Sequence, residues 1–363
     1  MIDLFKVNMS KDAHESVSRV LSSGYITQGP RVDEFERLLQ GFLGSGVVPT
    51  LVNSCTSAID LALELCGVGP GDEVISTPQT CFASNVGPIH RGARIRWADI
   101  DKLTGLIDPA SVGKLINSKT KAIIAVNWAG KFADYASLKS YGVPVIEDAA
   151  HTWDTFLVDK PERGDYICYS LQAIKFLTAG DGGILITPPE KEHEAKLLRW
   201  YGLDRTKNES FRITQNVKQA GFKYNMNDIS AAIGISNLLS ASNAVKEHRS
   251  NARVLCKYIN NEHLTVLPFD EQASYWIFPI LINDIGNRDN FKHYMQDNLI
   301  ASALVHYRND MYDSTSAFRE KELPGVGEFT SKQINIPCGW WLSNQDVLYV
   351  IDVVNRWNPS LNA

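Results

Sequence analysis

Lys175 closes the run Tyr169-Ser170-Leu171-Gln172-Ala173-Ile174-Lys175, and the chain continues through Phe176-Leu177-Thr178-Ala179-Gly180-Asp181-Gly182-Gly183. An apolar, strand-like approach from Tyr166 to Tyr169 precedes it. A second apolar run, Ile184-Leu185-Ile186, follows the glycines. This lysine sits neither on a solvated helix face nor in a charge run. A lysine in a partly buried setting gives up its proton readily and can form a Schiff base with a carbonyl. A second stretch, Glu147-Asp148-Ala149-Ala150-His151, ends the apolar run Val143-Pro144-Val145-Ile146 in two carboxylates, with a histidine three residues after the second. A carboxylate at a buried strand end needs a partner, because burying it unpaired is costly. A protonated ring nitrogen would supply one.

Three further places carry candidate groups. Asn53-Ser54-Cys55-Thr56-Ser57-Ala58 follows the apolar run Val47–Val52, and then Ile59, Ala62, Leu63 and Cys66 recur at helical spacing. That order is strand, small polar turn, helix. Free N–H groups and the dipole at a helix start favour an anion, and Thr56 and Ser57 add hydroxyls. The same residue types serve as ordinary N-caps, so a phosphate cradle and a simple cap both fit. Phe82, in Pro78-Gln79-Thr80-Cys81-Phe82-Ala83-Ser84-Asn85, follows the strand Glu73–Thr77. It can stack on a planar heterocycle at the strand's carboxyl end or belong to the core. Tyr25 lies in the turn-rich loop Ser23–Pro30, which serves equally as a connector.

The elements that must position these groups alternate. Helices are expected at 11–21, from 32 with Val32, Phe35, Leu38 and Leu39 on one face, from about 56, at 109–116, 133–141 and 190–201, and in one long run from 229 to about 258. Strands are expected at 47–52, 73–77, 94–98, 121–126, 143–146, 166–169 and 184–186. Strand–helix alternation up to about residue 187 implies an α/β fold: a mostly parallel central sheet with helices on both faces and the candidate residues at strand carboxyl ends. The remainder reads as smaller and α+β, with strands at 275–282 and 303–307 and helices at 290–298 and 346–357. The expected division is 1–240 and 241–363, bridged by the long helix. The polar stretch 203–219 reads as a loop.

The bulk properties narrow the classes. The chain has 363 residues, 44% hydrophobic and 21% charged, with a net charge of -5 and a pI near 5.9. This is an ordinary globular mixture. No basic stretch argues for nucleic-acid binding. No apolar window is long enough for a bilayer, and Met1-Ile2-Asp3-Leu4-Phe5-Lys6 does not read as a secretory signal. The six cysteines form no C-x-x-C pair, which fits reduced, buried thiols in a cytoplasmic protein. No metal site is expected.

Taken together, the sequence resembles the DegT/DnrJ/EryC1/StrS aminotransferases, the sugar-modifying branch of the fold-type-I pyridoxal phosphate (PLP) enzymes. The resemblance spans nearly the whole chain. It runs from Gly29-Pro30 to Phe35-Glu36, through Ser54–Ala58, Pro70-Gly71-Asp72-Glu73-Val74-Ile75, Glu147–His151 and Ser170–Lys175 with Gly182-Gly183, to Gly221–Met226 and His306-Tyr307. It implies that Lys175 joins PLP as a Schiff base, that Asp148 pairs with the pyridinium nitrogen, and that His151 lies near the ring's phenolic oxygen. It further implies that Phe82 stacks on the ring and that Thr56, Ser57 and Ser170 bind its phosphate. Gly221–Met226 would cross to the partner of a homodimer and help bind the phosphate there. Lys223 and Asn225 stand where the family usually has Asn and Arg, so either residue can be the contact. Asn127 replaces a common His, and Arg308-Asn309-Asp310 differs from a Pro-containing version; both bear on the substrate pocket. Tyr25, the 203–219 stretch, His306, Tyr307 and Arg308 are the expected substrate contacts.

The implied reaction moves an amino group from an amino acid, with L-glutamate the expected donor, to a keto group of a nucleotide-linked deoxysugar, for amino-sugar or surface-glycan synthesis. Some relatives carry His at the lysine position and act as dehydratases; Lys175 argues against that outcome. Other readings are another PLP reaction on the same fold, an aminotransferase for a non-nucleotide keto sugar, or a binding protein without turnover. A nicotinamide enzyme lacks support, because Gly180-Asp181-Gly182-Gly183 is not a G-x-G-x-x-G between strand and helix.

Overall fold

The structure is a computed structural model that describes residues 1–44, 46–153, 155, 157, 160–207, 210–319 and 322–362. Among them, seven strands form one sheet: β1 (Pro49–Val52), β2 (Glu73–Ser76), β3 (Arg94–Trp97), β4 (Thr120–Val126), β5 (Val145–Asp148), β6 (Tyr166–Ser170) and β7 (Gly183–Ile186). The spatial order is β1-β7-β6-β5-β4-β2-β3. β2, β3, β4, β5 and β6 pair in parallel, and only β7 runs against its neighbours β6 and β1. β5 and β7 are buried along their whole length, and β4 and β6 over most of theirs, as a sheet covered on both faces requires. This is the mostly parallel α/β architecture of fold-type-I PLP enzymes.

Register fixes the site. Val126 lies opposite Asp148, Asp148 opposite Cys168, and Ser170 opposite Gly183, which also faces Val52. The carboxyl ends of β1, β4, β5 and β6 therefore meet at one edge of the sheet. A second, antiparallel sheet of β8 (Leu264–Thr265), β9 (Phe278–Ile282) and β10 (Gln333–Ile336) runs in the order β10-β9-β8. The helix Asp228–Tyr258 joins the two regions. Ala231, Leu238, Ala241 and Val245 enter the core beside Val32, Phe35 and Leu39, while Ala252 and Leu255 enter the core around the small sheet. Its length matches the sequence expectation.

Several expectations change. Residues 303–307 do not form a strand; Ala303 makes one bridge to Asn335, and the run then turns to line a cavity. The strand expected from Tyr275 starts only at Phe278, because Tyr275 adopts a left-handed backbone (φ 55) that breaks the extension. The helix expected to reach Tyr201 ends at Leu198, and Tyr201 is also left-handed (φ 56). β5 begins at Val145, two residues later than expected, and ends in Glu147 and Asp148 as expected. The helix Pro324–Lys332 and strand β10 were not legible. All six cysteines are free, but Cys81 is exposed and only Cys168 and Cys338 are fully buried. No helix among the described residues is long and apolar enough to cross a membrane.

Candidate active site

The strand ends open onto a cavity of about 510 Å³, a size suited to a small-molecule site. Ser54 and Thr56 reach it from the turn after β1, Asp148 from β5 and Ser170 from β6. Lys175 and His151 reach it from the segments that follow those strands. Residues distant in sequence complete it, including Leu4, Phe5, Trp276 and His306.

Two carboxylates end β5, and strand alternation separates them. Glu147 is sealed in by Arg163, whose Nε lies 2.9 Å from its Oε2, by the Gly164 N–H at 3.0 Å, and by Asn127 Nδ2 at 2.7 Å. Asp148 faces the cavity. It is 4% exposed. The Ser84 hydroxyl donates to its Oδ2 at 2.6 Å and the Ala150 N–H to its Oδ1 at 3.0 Å. Because Ser84 spends its proton on Asp148, Thr80 must donate to Ser84 across 2.8 Å. Burial raises the Asp148 pKa; Ser84, Ala150 and nearby Lys175 pull it the other way.

Lys175 is anchored by its N–H to the Gln172 carbonyl at 2.9 Å. It keeps some contact with the cavity, yet protein surrounds it, and this burial lowers its amine to about 8 against the opposing pull of Asp148. Its Nζ stands 3.4 Å from the centre of the Trp276 ring. His151 is held neutral by burial, then by Lys175 and His306, and its buried Nδ1 has no protein partner. His306 is likewise pushed down to about 4 by burial, and its Nε2 is also unpartnered. The two imidazoles lie nearly parallel with centres 5.7 Å apart.

The helix Cys55–Leu65 starts beside β7. Ser54 caps it by accepting from the Ser57 N–H at 3.0 Å. A Cβ on Gly183 would lie 2.4 Å from the Ser54 carbonyl oxygen and 2.7 Å from the Cys55 nitrogen, so only glycine lets β7 pass this close. These residues fit PLP. A buried carboxylate facing the cavity with only neutral donors suits a cationic ring nitrogen. A glycine-flanked helix start suits a phosphate, and an unpartnered imidazole nitrogen suits a ring oxygen.

The chain matches the DegT/DnrJ/EryC1/StrS aminotransferase family over residues 7–355. It belongs to that family. Among solved structures it is similar to AtS13 from Actinomadura melliaura, 35% identical with a TM-score of 0.91 over 99% of both chains. It is also similar to the sugar aminotransferase CalS13 from Micromonospora echinospora, 31% identical with a TM-score of 0.90 over 98% of this chain and 100% of that one. The spore coat polysaccharide biosynthesis protein SpsC of Bacillus subtilis is 28% identical over 95% of this chain and 94% of its own.

Within this aminotransferase the expected site residues divide. Lys175, Asp148, His151, Thr56, Ser170 and His306 share the cavity. Ser57 does not line it; its hydroxyl donates to Asn53 Oδ1 at 2.7 Å. Phe82 sits at the start of the helix Ala83–His90 and packs edge-on against Tyr312, with ring centres 5.0 Å apart, while its neighbours Cys81 and Ala83 line the wall. Lys223 bonds Asn225 (2.6 Å) and lies 3.8 Å from the centre of the Trp200 ring. Neither Lys223 nor Asn225 lines this chain's cavity, and both flank the turn after β1, where the Tyr224 carbonyl accepts from the Asn53 N–H. Tyr25 is exposed, as is Tyr307, and Arg308 is held in a two-pronged pair with Asp310 at 2.8 and 2.6 Å. None of the three lines the cavity, and the described part of 203–219 does not either; residues 208 and 209 of that stretch lie outside the described residues.

The two departures at Asn127 and Asn309 are both architectural here. Asn127 is fully buried between Glu147 and the Tyr135 hydroxyl. Asn309 ties the C-terminal region to the loop before the helix Ala83–His90, accepting from Asn85 at 2.7 Å and donating to the Thr80 carbonyl at 2.9 Å. Sequence reasoning missed Ser84, Trp276, Leu4 and Phe5. Ser84 carried a signal, a hydroxyl at a helix start near a strand end. Trp276 and Phe5 carried none, because only tertiary packing brings them to Lys175.

Proposed function

We propose that this aminotransferase holds PLP on Lys175 and moves an amino group from an amino acid, L-glutamate by preference, to a keto group of a nucleotide-linked deoxysugar. The observation that carries the reading is the pairing of Lys175 with Asp148 in one cavity: a lysine whose amine is lowered to about 8, facing a buried carboxylate that has only neutral hydrogen-bond donors. When bound, PLP supplies an electron sink for the carbanion formed at the substrate carbon. The protein's residues supply the rest. Asp148 would keep the pyridine nitrogen protonated, with Ser84 and Thr80 holding the carboxylate in its charged form. Lys175, once freed by the incoming amine, would take the proton from the substrate carbon and deliver it to the cofactor carbon, and would run the same transfer in reverse with the keto acceptor. An amine lowered to about 8 is suited to both directions near neutral pH. Thr56, Ser170 and the helix start at Cys55 would hold the phosphate, and His151 the phenolic oxygen.

The sugar reading draws on CalS13, a sugar aminotransferase, and on SpsC, a polysaccharide biosynthesis protein. A homodimer accounts for Lys223 and Asn225, which would contact the cofactor phosphate of the partner subunit. The enzyme would act in the cytoplasm, with residues 241–363 as the smaller domain. Incubation with PLP, glutamate and dTDP-, GDP- or UDP-linked keto-sugars, followed by mass spectrometry, should show an amino sugar and 2-oxoglutarate. Amination of free but not nucleotide-linked sugars would replace the substrate assignment. Reconstituted protein should also show a borohydride-reducible absorbance band that Lys175→Ala lacks. A band that survives in that variant would overturn the lysine assignment.

A further inference from the structure

We infer that Trp276 is a positioning residue for Lys175, its indole face fixing the lysine amine and stabilising that amine when it carries a proton. The inference rests on the reading that Lys175 moves the proton. Lys175 Nζ stands 3.4 Å from the ring centre, well within the roughly 6 Å over which an aromatic face attracts a cation. The indole cannot turn away. Its Nε1–H donates to the carbonyl of Ile174 at 3.0 Å, so the ring is tied to the residue just before the lysine it faces. It also stacks on His151 with centres 4.0 Å apart and planes at 25°, and Phe5 packs against it at a tilt with centres 5.1 Å apart. Trp276 is 4% exposed. It follows the left-handed turn at Tyr275, which places the side chain over the cavity before β9 begins.

The ring's attraction is for charge. It does little for a neutral amine and much for an ammonium. When the lone pair of Lys175 accepts a proton from the substrate carbon, the ammonium formed is stabilised, and that support is lost when the proton is handed on. Such an interaction lowers the barrier because it strengthens along the step. The titratable side chains around Lys175 are Asp148 from β5, Cys55 at the start of its helix, Cys81 in the loop before the helix Ala83–His90, His151 after β5, His306 from the C-terminal region, and Asp181, which also lines the cavity. Asp148 and the two thiols favour the ammonium when ionised, and the two imidazoles oppose it when protonated. Trp276 alone among these neighbours gives support that does not change with pH.

The test measures the lysine itself. In the full chain freed of PLP, the pH midpoint of Lys175 is read by trace acetylation and quantified on the Lys175 peptide by mass spectrometry. Trp276→Leu should lower that midpoint by about one pH unit, a tenfold loss of proton affinity, while Trp276→Phe keeps most of it. Should the leucine variant not fold, fluorinated tryptophans placed at 276 alone keep the shape and weaken the ring face in steps. The midpoint should then fall with each added fluorine. A midpoint that stays flat across that series, or rises in Trp276→Leu, overturns the role of Trp276. Failure of the wild-type protein to give a borohydride-reducible band would instead strike the reading of Lys175 on which this one rests.

Discussion

At the scale of single residues, Asp148 is the group most exposed to error in its surroundings. A buried carboxylate retains its charge only through the donors around it. Ser84 is the closer donor, at 2.6 Å. Ser84→Ala removes a bond to the charged form, so the Asp148 pKa, already raised by burial, rises further. The acid limb of kcat/KM should then move to higher pH by roughly one unit, and a pH–rate profile of the variant reads this directly. An acid limb that stays in place would show that Ser84 is incidental. Asp148→Asn should retain bound PLP but lose most turnover, by about 100-fold or more on the scale of a lost electrostatic contact in an active site; titration of the cofactor absorbance and steady-state kinetics separate the two effects.

At the scale of elements, the helix Asp228–Tyr258 organises its neighbours through polar groups. The Asp228 carboxylate, 1% exposed, accepts from the backbone N–H groups of Gly29 at 2.7 Å, Arg31 at 3.1 Å and Val32 at 3.2 Å. It therefore caps the helix Pro30–Leu43 from outside, and a Cβ on Gly29 would lie 2.8 Å from Asp228 Oδ2. Asp228→Ala leaves three helix-start donors without an acceptor and should cost about 2–4 kcal/mol, read as a lower denaturation midpoint in urea. Farther along the same helix, His248 is buried and bonds the Tyr275 carbonyl at 2.8 Å; burial pushes its pKa down to about 4. The neutral ring suits the fold, so its contribution is fully present above the unfolded value near 6.5 and is lost as pH falls through about 4. Stability should drop by roughly 3 kcal/mol over that window, and His248→Gln should flatten the slope in denaturation curves at stepped pH. The same slope in the variant would assign the effect to other groups.

At the scale of the whole molecule, the cavity is assembled from parts far apart in sequence, and the proposed homodimer extends that to a second chain. If Lys223 and Asn225 serve the partner's site, a Lys175→Ala chain and a Lys223→Ala/Asn225→Ala chain should each be weak alone. Mixed by unfolding and refolding together, they should regain activity, because some dimers then contain one intact site. No regain on mixing would place both residues in a role within their own chain. The residues before the first helix also reach the site. Ile2 pairs with Ile300, the Asp3 carbonyl accepts from Trp341, and Phe5 packs at a tilt against Trp276. Phe5→Ala should raise KM for the acceptor sugar several-fold with little change in bound cofactor, as loss of an apolar contact in a pocket does.

The sequence by itself determined the alternating elements of the large sheet, the single long helix, and the places of Lys175 and Asp148, because each depends on local periodicity and on chemistry within a few residues; His151 and Ser170 entered the expected site through the family resemblance. It also placed both carboxylates at the end of β5. Only the tertiary structure decided that Glu147 turns to Arg163 and Asn127 while Asp148 turns to the cavity, since that depends on which face of the strand each neighbour covers. The 303–307 run shows the opposite failure. Its apolar residues read as a strand, but β10 offers it one bridge only, and the rest of its surface is spent on the cavity wall. Phe5 and Trp276 belong to the site through packing between distant segments, which leaves no trace in residue spacing. Thus Lys175 was legible as a reactive lysine, and the indole beneath its amine was not.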